Sequence, residues 1–231
     1  GGLRAALLLL AGGTLVSALA SIIALREAPR IDDSPPAPLA RALRDRRLLQ
    51  LCGGSALLVV SQVSILGFTV LFLHDERGFS AGAAAAVLAV MQVFGGVLRI
   101  ASGRWSDRVG TRLAPLLQLG FALSVALAVA AALVDAPIWL LLPALVTAGS
   151  LSSGWNALSF TAAAEIAGQA RAGAALGLQQ AFLALGAALT PLAFAPIVEN
   201  VSWAVGFACA SAVAAVGTIS LVGLARREIS V

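Results

Sequence analysis

Apolar residues along this chain cluster into long runs, separated by short joints that hold nearly all of its charges. The runs fall at 3–25, 49–73, 81–102, 113–134, 137–162, 172–194 and 202–225. Crossing a hydrocarbon core of ~30 Å takes roughly 20 apolar residues in a helix, because lipid cannot satisfy exposed backbone groups. The pattern therefore predicts seven membrane-spanning helices. Arg99 is the one charge that reaches appreciably into a run.

The joint at 26–48 is longer than the others and reads as a linker between 1–25 and a bundle over 49–231. Pro29, Pro35, Pro36 and Pro38 exclude a regular helix from its first half. Leu39 to Gln50 lacks a breaker and reads either as a short interfacial helix with its arginines toward headgroups or as a plain tether.

Composition agrees with the pattern, at 60% hydrophobic and 11% charged residues with a mean hydropathy of +0.97. In such a chain a net charge of +4 reports topology rather than a nucleic-acid surface. All fifteen basic residues are Arg. If the joint at 103–112 is cytoplasmic, only Arg4 and Arg77 fall outside, which places the linker and the C-terminus in the cytoplasm at the plasma membrane. Trp139 and Trp203 begin outer-side runs, Trp105 sits at the inner joint, and Trp155 lies deep. Cys52 and Cys209 sit alone within runs and read as small core residues, with neither a disulfide nor a metal site indicated. The first run lacks a basic leader and a cleavage site, so it does not read as a signal peptide, and the chain looks truncated at its start.

Gly103 to Arg112 sets Arg104, Arg108 and Arg112 around Asp107, with Gly103 and Gly110 placed to bracket a tight charged turn. The spacing Gly-x-x-x-Asp-Arg-x-Gly-x-Arg resembles the signature loop of the Major Facilitator Superfamily, although Thr111 stands where that family usually has a second basic residue. A linker of about twenty residues between one helix and six more resembles the join between that family's two six-helix halves. The resemblance implies an all-α polytopic membrane protein comprising the last helix of the first half and the complete second half. It implies secondary transport of a small solute by alternating access, with the first half as the missing partner. It also implies that Asp107 lies against a helix amino-terminus of that other half and, together with a Glu165 pair to Arg108 or Arg112, holds a cytoplasmic gate closed, with Gly103, Gly110 and Arg171 in the same gating group. Glu165 and Arg171 enclose a joint where the family often has an acid and a base. Glu165 reads either as a partner for Arg108 or Arg112, or as one of two separately solvated charges with Arg171.

Uncharged polar residues inside the runs are the candidate site. Counting about 1.5 Å per residue from each inner end, Gln92, Asn156 and Gln179 lie roughly 12 to 16 Å deep and Gln62 roughly 20 Å. Amides are costly in lipid, so they either line a solvated cavity or bond between helices in a dry bundle. Ser55, Gln62 and Thr69 repeat every seventh residue, a stripe that favours a cavity wall. In the fifth run Ser152, Asn156 and Ser159 share one face, and Thr147, Ser150, Gly154 and Thr161 share another. Periodicity does not choose between them, and Trp155 sits beside both. The resemblance makes the second and fifth runs the main cavity liners, which puts Gln62, Trp155 and Asn156 first among substrate contacts; a deep Trp also serves as packing. Arg99 reads as an interfacial side chain reaching headgroups or Asp107, or as the counter-charge for an anionic substrate.

Gly173, Gly177 and Gly186 give the sixth run a small-residue face for close helix contact. His74, in His-Asp-Glu-Arg, reads as a solvated turn residue or a pH sensor. No catalytic constellation or cofactor motif is visible, and no Asp or Glu lies deep in a run, so a proton-coupling carboxylate would belong to the first half. The competing reading is a non-transporting membrane scaffold that binds partner helices.

Overall fold

The computed structural model describes residues 8, 11–16, 18–20, 22 and 44–229, with side chains to 225. It divides into two compact units, Gly1–Pro35 and Pro36–Val231. In the first, an apolar helix spans Ala11–Ala20; apart from residues 8 and 22, the rest of the expected 3–25 run and linker residues 26–43 lie outside the described residues.

The second unit is all helix: α1 (Arg46–Asp75), α2 (Ala81–Val109), α3 (Leu113–Ala132), α4 (Ile138–Gly154), α5 (Asn156–Ala167), α6 (Ala172–Asn200) and α7 (Trp203–Ile229), with a 3-10 turn at Gln169–Arg171. Counting α4 and α5 as one interrupted span, six helices among the described residues are long and apolar enough to cross a membrane. The protein is a multi-pass helical membrane protein.

Capping explains where the spans begin. Asp45 Oδ1 accepts from the amides of Arg47, at 3.0 Å, and Leu48, at 3.4 Å. These satisfy donors that would otherwise be orphaned. The helix entering the membrane thus already includes Arg46 to Gln50, which are not part of a separate interfacial helix. Ser80 caps α2 in the same way, its Oγ accepting from Ala83 N at 3.2 Å.

α1 is central: it packs on α6 and α7 and also touches α2, α4 and α5. α3 packs on α7 and α4, and α4 on α2. Small residues set the spacing, since a Cβ on Gly217 of α7 would stand 2.9 Å from the Gly54 carbonyl of α1. Hydroxyls join helices where lipid offers no partner: Ser61 Oγ donates to Ala210 O at 2.7 Å, and Ser211 Oγ to Ser124 O at 2.8 Å. Cys52 is buried as expected, but Cys209 is exposed on the outside of α7.

Coverage is uneven. Only 17% of the apolar window of α2 and 22% of that of α6 are buried, against 39% to 56% for the other four spans. Val93, Phe94, Val97 and Ile100 of α2, and Leu185, Leu189 and Leu192 of α6, are left exposed.

Candidate functional site

At the charged end the expected ten-residue turn is shorter. α2 continues through Gly103 to Val109, because Arg104, Trp105 and Arg108 suit a helix and a basic last turn complements its dipole. Only Gly110 takes the left-handed conformation, with φ 73°, and terminates the helix. That reversal brings Arg112 back onto the end of α2. Its Nη1 donates to Asp107 Oδ1 and to Ser106 Oγ, the latter at 3.0 Å, while its Nε donates to Glu165 Oε1 at 3.0 Å. One guanidinium thus joins the ends of α2, α3 and α5. The two carboxylates hold it above its ordinary pKa, so it stays charged at any accessible pH.

Of the two arginines open to Glu165 by sequence, Arg112 is the partner; Arg108 makes no ion pair among the described residues. Arg171 turns away from Glu165, and its Nε donates to Ala167 O at 2.9 Å, closing the end of α5. Asp107 is engaged within its own bundle.

The polar groups of the spans separate into an open set and a buried set. Gln62 of α1 and Asn156 of α5 meet, with Asn156 Nδ2 donating to Gln62 Oε1 at 3.2 Å. Both line an open cavity of about 380 Å³ between α1, α5 and α6, whose wall also holds Gln180 and the apolar Val59, Leu66 and Phe160. Gln179, expected to face this space, is fully buried one position away. Its Nε2 donates to Ser159 Oγ at 2.6 Å, and Ser159 Oγ bonds Ser55 Oγ at 2.7 Å. Successive residues are about 100° apart on a helix, so if Gln179 ties α6 to α1 and α5, it is Gln180 that points into the cavity. A run with two adjacent Gln carried that signal without saying which faced inward.

The stripe on α1 is likewise only partly on the wall. Ser55 and Thr69 are fully buried; Ser55 belongs to the Ser159 pair and Thr69 bonds its own backbone at Ile65 O.

The ambiguity over the fifth run has a physical cause, because that run is not one helix. It breaks at Trp155, after a Gly- and Ser-rich stretch that weakens the backbone ladder. One periodicity cannot cross the break. Two side chains of α2 serve the carbonyls there: Arg99 Nε and Nη2 both donate to Ser153 O at 3.2 Å, and Ser102 Oγ donates to Gly154 O at 3.1 Å. Arg99 therefore holds the break, and no bond joins it to Asp107 among the described residues. Gln92 is exposed on α2 and accepts from Ser153 Oγ at 3.4 Å, away from the Gln62–Asn156 pair. Trp155 is enclosed in the packed interior rather than on the cavity wall, its Nε1 without a partner.

On α6 the small residues divide between opposite sides. Gly177 and Gly186 are nine residues apart, about half a turn out of phase. Gly186 packs on α1, where a Cβ would lie 2.8 Å from Ala56 O, while Gly173 and Gly177 face open space. At the other end of the bundle, Trp203 is buried against Phe72 and Phe207 rather than resting at an interface, with its Nε1 donating to Glu76 Oε1 at 3.0 Å. Trp139 is 69% exposed. His74 Nδ1 bonds Phe79 O at 2.7 Å and holds the turn into α2.

The bundle thus combines a charged end joined by one arginine, an amide-bearing cavity at mid-depth and an interrupted span. The chain belongs to the Major Facilitator Superfamily, whose family model matches residues 1–191. Two relatives, each described as an uncharacterized MFS-type transporter and drawn from two strains of Mycobacterium tuberculosis, are 28% identical over 210 residues and 29% identical over 213. Each match covers 90% of this chain and 47% of the relative, so the chain spans about half the length of the curated relatives it matches.

Proposed function

We propose that this chain is the second half of an alternating-access carrier for a small solute. The open cavity between α1, α5 and α6 would be its wall of the transport path, and the sparsely covered faces of α2 and α6 would meet a six-helix first half. The observation that carries this reading is the Gln62–Asn156 pair, which places hydrogen-bonding amides on an open wall about halfway along α1. Amides at that depth need protein or water around them, and a solute path supplies both. The arginine distribution supports a plasma-membrane orientation with the charged end in the cytoplasm. The cavity wall offers no acid among the described residues, so a coupling proton would be held by the first half.

The test is sided labelling of single cysteines in a Cys209→Ser background. Cysteine at Arg108 is expected to react with impermeant reagents only from the cytoplasm, and cysteine at Asp75 only from outside. With the first half co-expressed, cysteine at Ala184 on the cavity wall is expected to react from both sides in turn. Reaction of Ala184→Cys from one side only, under every condition that supports solute uptake, would exclude alternating access at this cavity.

A further inference from the structure

We infer that this cavity selects an uncharged solute carrying a hydrogen-bond donor and acceptor side by side, such as a carboxamide or a lactam, attached to a compact apolar body. The inference rests on the reading above only in taking the cavity as the place where solute binds.

Among the described residues, none of the side chains that line the cavity is ionisable. The wall that this chain contributes offers a charged solute no counter-ion, and desolvating a charge is expensive unless it is paired. Arg99 does not line this cavity and donates instead to the Ser153 carbonyl. What the wall does offer is carboxamides. Gln62 spends its Oε1 on Asn156, and its Nε2 remains accessible with no protein partner. Exchanging N and O in both amides preserves their mutual bond and turns Oε1 of Gln62 to the cavity instead. In either arrangement Gln62 presents one polar atom. Gln180 is exposed on α6 with no hydrogen bond to the protein, so both ends of its amide are free.

Two carboxamides that together present donors and an acceptor match a ligand amide, which can bond each end at once. A carboxylate offers acceptors only, and an ammonium donors only. The remainder of the wall, including Val59, Val63, Leu66, Phe160 and Leu183, is apolar and suits a ring or a short branched body. The space against this wall, about 380 Å³, accommodates a molecule of that size.

The test uses the full chain with Ala184→Cys in the Cys209→Ser background, and three probes of one shape: benzamide, benzoate and benzylammonium. Protection of the cysteine from N-ethylmaleimide reads occupancy of the cavity. Benzamide is expected to protect at concentrations about ten-fold lower than either ion, the margin of one net hydrogen bond. Gln180→Leu, which breaks no internal bond, is expected to abolish that preference while leaving labelling without probe unchanged. Gln62→Glu is expected to shift the preference to benzylammonium.

Equal or better protection by benzoate or benzylammonium in the unmodified wall would overturn the proposed solute class while leaving a binding cavity in place. Absence of protection by all three would overturn it too, and two-sided labelling of the same cysteine would then still stand for the transport reading.

Discussion

At one end of the bundle Arg112 lies between Asp107 and Glu165, both carboxylates more than half exposed to water. At the other, Phe72, Trp203 and Phe207 interlock with ring centroids 5.0 to 6.0 Å apart, and Phe194 extends the cluster. Both arrangements tie together helices distant in sequence, but they draw on different physics. An exposed ion pair contributes about 0 to 1 kcal/mol and weakens in salt. Interlocked aromatic rings each bury roughly 150 to 250 Å² and gain further from their tilted and edge-to-face geometry. The aromatic end is thus a fixed clasp, and the charged end is a latch that can be released cheaply. On the proposed reading, a carrier half would have one stiff end and one that yields.

The largest effect should follow from breaking the clasp. Trp203→Ala removes the ring at the centre of the cluster and leaves Glu76 without its indole donor. A loss of about 3 kcal/mol is expected, in the range for a buried aromatic cut to alanine. Thermal or denaturant unfolding in detergent or lipid measures it. A loss below about 1 kcal/mol, the scale of an exposed ion pair, would mean that the two ends do not differ as described.

Between the ends, the break at Trp155 is held by α2. Arg99→Met keeps most of the side chain's bulk but withdraws both donors from Ser153 O, leaving that carbonyl without a side-chain donor among the described residues. A buried acceptor left unpaired costs about 1 to 3 kcal/mol, so an intermediate loss of stability is expected. Arg99→Lys, which keeps a donor, is expected to recover part of it. If Arg99→Met costs nothing while solute binding changes, then Arg99 acts on the solute rather than on the break.

The spans themselves were legible in the sequence because lipid imposes a simple rule, namely length and apolarity with charges at the joints. The boundaries were less so. Asp45 as a cap moved the start of α1 outward to Arg46, and helix-compatible residues carried α2 past Gly103 to Val109. Gln62 and Asn156 meet, as suits two amides that are each costly in lipid alone. Gln179 and Gln92 bond elsewhere, to Ser159 and Ser153, and Trp155 is packed in the interior. Depth along a run says nothing about which way a side chain points, and the break at Trp155 removed the phase that could have told. The role of Arg99 was hidden for the same reason, because an interrupted helix exposes carbonyls that a continuous one would have satisfied internally.

The smallest effect should also be the most informative about the latch, since its two acids do different jobs. Asp107 reaches Arg112 across a turn of three residues and only fastens α2 to α3, which Gly110 already connects covalently. Glu165 reaches Arg112 from α5, and this is the contact by which the latch holds the lower part of the interrupted span. Glu165→Gln should therefore loosen the end of α5, raising hydrogen exchange at the amides of 163–167 by about two-fold, the equivalent of roughly 0.5 kcal/mol for an exposed pair. Asp107→Asn should leave those amides nearly unchanged, because Arg112 keeps Glu165. Raising the salt to about 1 M, where screening acts over about 3 Å, should reproduce the Glu165→Gln effect in the unmodified protein. If Asp107→Asn loosens α5 as much as Glu165→Gln does, Asp107 is what positions Arg112 for Glu165, and the two acids form one unit. If neither substitution nor salt moves those amides, the charged end is held by the packing beneath it, and the contrast with the aromatic end disappears.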